Sequence, residues 1–163
     1  MKLIKPSFEI LEQGPGVQGI YKQIELAGRT CYKSLDRITE DSAEGFVNRM
    51  IASKHYAMLE HGTVYLAIPI TTYAPEAVNT YINNPYSRVN ECDEYIFTDR
   101  HGDKVRAWCV TTNLRVLVEN NVLEDLEFLC EPTEHHEKRV TVRFTTDRGV
   151  SHEFVRHKLL CVA

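Results

Sequence analysis

In EYIFTDRHGDKVRAWCVTT, residues 94–112, two β-rich runs flank a polar turn at Asp99–Lys104, where Gly102 supplies a permissive backbone. Strands joined by so short a connection pair antiparallel, so the expected sheet is antiparallel or mixed. Downstream, NLRVLVENN and LEDLEFLCEP read as two short helices punctuated by asparagines and Pro132. RVTVRFTTD then alternates, with Val140, Val142 and Phe144 on one side and Thr141, Arg143 and Thr145 on the other. That pattern predicts a half-buried strand. Asp147 is placed to cap a final helix whose buried side is Val150, Phe154, Val155 and Leu159.

Upstream, GTVYLAIPI is β-rich and meets Pro69, which predicts a strand that stops or lies at a sheet edge there. Ala74-Pro75 opens a short helix carrying Val78, Tyr81 and Ile82. Asp41 or Ser42 can cap a helix with Phe46, Met50 and Ile51 inward. From Val17 to about Tyr32, the apolar residues Ile20, Ile24, Ala27 and Cys31 recur at helical spacing, and FEILE before them reads as a strand ended by GPG. The order β, α, α, β, α, ββ, αα, β, α contains no repeat or low-complexity tract. It predicts one α+β domain over residues 1–163, a sheet with flanking helices.

A chain of 163 residues can bury a real core, and 43% hydrophobic with 26% charged residues is an ordinary globular balance. The formal net charge of −4 argues against a generally basic nucleic-acid-binding surface, while leaving room for a local cationic patch. No run approaches the length of a membrane span, and MKLIKPSFEI lacks the apolar core of a secretory signal, so a cytoplasmic location is expected. The five cysteines, Cys31, Cys92, Cys109, Cys130 and Cys161, form no CxxC pair. They read as small hydrophobes in a reducing compartment, and no metal site is expected.

Three clusters can carry chemistry. SHEFVRHKLLCVA, residues 151–163, places Glu153 and His157 one helical turn apart, and His152 and Arg156 likewise. A guanidinium beside imidazoles suits phosphate or carboxylate; the competing reading is a solvated basic helix end favoured by the helix dipole. HYAMLEHGTVYLAI sets Glu60 and His61 at a strand entrance, without the HExxH spacing of a zinc helix. An isolated histidine there is more often hydrogen-bonded structure than a ligand. EPTEHHEKR carries His135 and His136 on a charged loop, where solvation is the simplest reading. GxGxxG, P-loop and GxSxG motifs are all missing.

Together these pieces resemble the flavin-dependent thymidylate synthases, the thymidylate synthase-complementing family. LAGRTCYKS resembles that family's Ala-Arg-Thr-Cys-Tyr segment, and SKHYAMLEHGTVYLAI its Ser-x-Leu-Glu-His followed by a strand. DRGVSHEFVRHKLLCVA resembles the approach to its Arg-His-Arg-x-x-Ser signature, with Lys158 in place of the third-position arginine and Cys161 in place of the serine. The match touches both ends of the chain, and residues 71–138 look like an insertion found in one branch of the family.

The resemblance implies reductive methylation of dUMP to dTMP, with methylenetetrahydrofolate giving the carbon and FAD, reduced by NADPH, giving hydride. It implies that His61 lies against the flavin ring and that Thr63 contacts FAD across a subunit boundary of a homotetramer. Arg156 would touch flavin and nucleotide, His157 and Lys158 the flavin, and Glu153 the dUMP. No enzyme cysteine attacks the uracil in this scheme. The uracil-activating arginine and the Glu-x-Ser-x-Arg-Tyr grip on dUMP are expected beyond residue 163, which implies impaired turnover for this piece alone. The competing expectation is a non-catalytic flavin- or phosphate-binding oligomeric remnant, in which LLCVA packs on a neighbouring chain.

Overall fold

The antiparallel hairpin at the centre of the sequence is the centre of the fold. In a computed structural model, which describes residues 5–70, 78–98 and 104–154, β3 (Arg88–Thr98) and β4 (Lys104–Asn113) pair antiparallel. β3 begins six residues ahead of the expected Glu94, and the turn between the strands lies outside the described residues. β2 (Thr63–Pro69) pairs antiparallel along the other side of β4, giving the order β2-β4-β3. The region expected to be an insertion therefore supplies the central strand of this sheet.

Proline ends β2 at Pro69, as its missing donor requires, and β2 lies at the sheet edge. That edge is partly covered. Leu129 bridges Leu66 antiparallel, and the Cys130 amide donates to Tyr65 O at 3.0 Å. Such a cover removes a template for unwanted strand pairing.

One face of the sheet turns Val64, Leu66, Ile68 and Val110 toward the core. Against them pack Ile20 and Ile24 of α1 (Gly16–Cys31), Phe46 and Val47 of α2 (Ser42–Ala52), and Leu59 of a 3-10 stretch, Tyr56–His61. Tyr81 of α3 (Asn79–Ile82) and Leu114, Val116 and Leu117 of α4 (Leu114–Glu119) complete the cluster. The second short helix expected after α4 is a 3-10 stretch, Leu123–Phe128.

The α1 stripe differs from the expected one. Ile20 and Ile24 are buried, but the stripe continues through Gln23 and Gly28, while Ala27 is half-buried and Cys31 is exposed. Strict 3.6-residue spacing favours 20-24-28 once a glycine is admitted to the buried face. At α2, Asp41 occupies the cap position without a side-chain bond, and the Ser42 hydroxyl donates to buried Glu25 at 2.8 Å.

β1 (Ser7–Leu11) and β5 (Thr141–Thr145) form a separate antiparallel ribbon, with Phe8 opposite Phe144 and Ile10 opposite Val142. Asp147 caps α5 (Arg148–Phe154) as expected, accepting the Val150 amide at 3.0 Å. The expectation of a half-buried β5 face is corrected: Phe144 is 52% exposed, Val140 48% and Phe8 69%, and Val150 of α5 is exposed too. Phe154 stacks on Phe144 at 5.1 Å between ring centres. Alternation sorts residues onto faces, yet only a packing partner buries one of them. The result is one α+β domain with two antiparallel sheets and flanking helices.

The loop from β1 into α1 is held by a close backbone approach. A Cβ at Gly19 would lie 1.7 Å from Gly14 O, a distance only glycine permits. Gly19→Ala would otherwise gain about 1 kcal/mol of helix propensity. We expect a net loss of roughly 1–3 kcal/mol instead, read as a lowered urea midpoint at unchanged slope. A raised midpoint would show that the two backbones do not meet.

Candidate functional site

The entrance to β2 is built by short-range geometry on one side and long-range bonds on the other. The Tyr56–His61 stretch delivers the chain to Gly62, whose carbonyl accepts the Leu114 amide at 3.0 Å. Glu60 is held in an ion pair with Arg115, which also reaches Glu119 at 2.9 Å and lies over the Tyr86 ring. Next, Gln13 acts on Thr63 as a strand would. Its Nε2 donates to Thr63 O at 2.8 Å and its Oε1 accepts the Thr63 amide at 2.9 Å. The amide side chain thus ties the β1–α1 loop to β2 across fifty residues.

Thr63 has its backbone satisfied and its hydroxyl without a partner among the described residues. It lines a cavity of about 480 Å3, of a size that holds small ligands. Residues 10–16 and Ile20 form one wall, Tyr65 and residues 129–132 another, and residues 138–141 leading into β5 the third. Lys138, without an ion-pair partner among the described residues, contributes a positive charge there. Arg139 is held by backbone alone, its guanidinium donating to Thr112 O at 3.0 Å and Tyr86 O at 2.6 Å. Its amide donates to Tyr65 Oη at 2.9 Å. Burial pulls the Arg139 pKa down from its ordinary value, a shift that the nearby Tyr65 and Glu137 oppose only in part.

His61 lies just before Thr63 but outside the lining of this cavity. Its side chain is exposed, and its imidazole has no hydrogen-bond partner among the described residues. Desolvation lowers its pKa below 6.5, and the nearby Glu60 carboxylate opposes that shift incompletely. A neutral imidazole results, able to donate or accept one bond to a ligand. Glu153 is exposed on α5, which is tethered to the ribbon through Phe154 and Phe144, and it does not line the cavity either. Arg156, His157, Lys158 and Cys161 lie outside the described residues. The structure therefore brings Thr63 together with the start of β5, and leaves His61 and Glu153 apart from that cavity.

His136 departs from the solvated reading of EPTEHHEKR. It is buried, with Nδ1 accepting the Thr133 amide at 3.1 Å and Nε2 placed 3.0 Å from Leu66 O. This fixes the Nε2–H tautomer, and the Tyr65 ring meets the imidazole edge-on at 5.5 Å. Adjacent charged letters hid a histidine that pins its loop to the sheet. The cysteine reading fares better. Cys92 and Cys109 are buried, and burial pushes the Cys130 thiol up to about 11, so these three are poor nucleophiles; Cys31 is exposed.

A second pocket escaped the sequence reading altogether. It holds about 710 Å3 at the corner where α1 and α2 end, with Arg29, Lys33, Arg37 and Arg49 in its lining and Asp36 as its acid. Tyr32, on its wall, bonds His55 Nδ1 at 2.6 Å. Arg29 and Lys33 are four residues apart in the sequence, but Lys33 lies past the end of α1, and Arg37 and Arg49 join them only through the fold. Comparisons with protein-family models, with curated proteins and with solved structures returned no match.

Burial also lowers the His136 pKa below 6.5. In the window between that folded value and about 6.5, the unfolded chain binds protons that the folded chain does not. Stability is therefore expected to hold above about pH 6.5 and to fall as the pH drops from there through the folded pKa. Urea midpoints across that range should show this slope, with His61 contributing in the same direction. His136→Gln should start less stable and lose part of the slope; a slope of opposite sign would exclude a neutral buried imidazole.

Proposed function

We propose that this chain is a flavin-dependent thymidylate synthase, whose reaction is the reductive methylation of dUMP to dTMP, with turnover impaired in this piece alone, cytoplasmic and assembled as a homotetramer. Methylenetetrahydrofolate is its carbon donor, and FAD, reduced by NADPH, its hydride source. The carrying observation is Thr63, which lines a cavity together with the start of β5 and whose hydroxyl has no partner among the described residues. LEHGTVY, one of the segments that resemble the family, thus neighbours the start of the strand that leads toward a second, DRGVSHEFVRHKLLCVA, although no residue of that second segment lines the cavity.

The residues present suit one end of a flavin nucleotide. The unpartnered Thr63 hydroxyl offers a bond to a ring or phosphate oxygen, and Lys138 offers a positive charge beside the carboxylates of Glu12 and Glu131, which also line the cavity. The first turn of α1, which has no acidic residue and no side-chain cap, adds the positive pole of the helix. In this proposal His61, neutral near pH 7, lies against the flavin ring, while Arg156, His157 and Lys158 hold the cofactor and Glu153 and Arg156 hold dUMP. Bound FAD supplies hydride chemistry; the chain's own groups orient substrates and organise charge.

The test is uptake of FAD by the purified chain, followed by dTMP formation with dUMP and methylenetetrahydrofolate. Visible flavin absorbance should persist after desalting. Thr63→Val, nearly equal in volume, should weaken FAD about fivefold, the worth of one hydrogen bond. FAD uptake without any turnover would support the non-catalytic flavin-binding reading. A chain that takes up no FAD would remove both.

A further inference from the structure

The corner formed by the ends of α1 and α2 is unusual in both its backbone and its charge. α1 closes with the Ser34 amide bonded to Arg29 O at 2.9 Å, and α2 with the His55 amide bonded to Met50 O at 2.9 Å. Each closure needs a left-handed residue, and each uses a lysine where glycine is the ordinary choice: Lys33 with φ 51° and Lys54 with φ 56°. Such a conformation costs a non-glycine residue roughly 1 kcal/mol. The two closures meet through Tyr32 and His55.

Arg29 belongs to the fold. Its Nε and Nη2 both donate to Glu25 at 3.1 Å, and its guanidinium lies 5.0 Å from the Phe46 ring centre. Lys33, Arg37 and Arg49 are different. All three are exposed, and none of their side chains makes an ion pair or hydrogen bond with another described residue. Three unpaired cations line one pocket whose lining includes a single carboxylate, Asp36, on a chain of net charge −4. Like charges so gathered repel, and a negative pole at each helix end offsets that only in part.

We infer that this pocket binds an oligoanion, a ligand with two or more closely spaced carboxylate or phosphate groups. Arg37 and Arg49 offer planar forks that bind such oxygens in pairs, and Lys33 adds a mobile charge. An open pocket of about 710 Å3 accommodates a chain of charges better than a lone ion requires. Two sources supply that chemistry, the oligoglutamate tail of a folate and the diphosphate of a nucleotide. The inference rests on the pocket alone and stands whether or not the chain makes thymidylate.

Calorimetric titration of the whole chain at low salt tests it with two free probes, tetra-γ-glutamate and inorganic pyrophosphate. At least one should bind one-to-one, more tightly than glutamate or inorganic phosphate, and more weakly as salt is added. Arg37→Gln combined with Arg49→Gln should weaken that probe about tenfold or more. Both side chains are exposed, so an unchanged circular dichroism spectrum and unfolding midpoint are expected. Lys22→Gln, an exposed cation of α1 outside the pocket, should leave binding unchanged. The stronger probe identifies the source. No binding by either probe, undiminished binding in the double variant, or equal loss in Lys22→Gln would each overturn the inference, leaving cations that only offset helix dipoles. Neither probe is a flavin or a folate, so failure of the thymidylate reading would not produce these results.

Discussion

At Gly62 the chain passes so close beneath α1 that a Cβ would fall 2.6 Å from Ile24 Cδ1 and 2.7 Å from Ile20 Cγ2. Because both isoleucines are buried, they have no room to retreat, and the position admits glycine alone. Everything that distinguishes the β2 entrance follows from this contact. It sets the height of α1 over the sheet and fixes the point at which the 3-10 stretch becomes a strand. It leaves the Gly62 carbonyl facing the Leu114 amide, so that α4 begins where β2 begins. His61 and Thr63 flank this glycine, and their separate environments follow from a turn of the backbone that cannot shift along the chain.

A second constraint acts at the far end of the same helix. Glu25 is buried, and its carboxylate is met on one oxygen by Arg29 and on the other by the Ser42 hydroxyl. Burying that charge is costly, and what it secures is the angle between α1 and α2, since Ser42 opens the second helix. Removing Ser42 or Arg29 would leave an unmet buried charge, which costs more than either bond is worth. With α1 fixed to α2 here and to β2 at Gly62, the ends of both helices are placed, and so is the Tyr32–His55 contact.

Much of this architecture was legible because it depends on local rules. The β-rich composition of GTVYLAIPI marked β2, alternation in RVTVRFTTD marked β5, Pro69 marked a strand end or edge, and Asp147 marked the start of α5. What was not legible depends on partners far away along the chain. Phe144 has the pattern of a buried residue, but burial needs a second layer that no residue of its own strand can announce. His136 has the neighbours of a solvated residue, yet Leu66 and Thr133 claim both its nitrogens. Gln13 gave no signal at all, because a side-chain amide that mimics a strand has no spacing of its own.

The two pockets illustrate the same division at the level of charge. α1 spans sixteen residues, about 24 Å at 1.5 Å per residue, and touches one pocket at each end. At its first turn, attraction for an anion comes from peptide N–H groups left without a side-chain cap, a property of the backbone that composition does not register. At its last turn the helix pole is negative, and a positive pocket exists only because Lys33, Arg37 and Arg49 outweigh it. The first attraction would survive most substitutions of exposed side chains, whereas the second depends on three of them. An anion that binds at both ends must therefore be lost from one pocket, and kept in the other, when those three charges are removed.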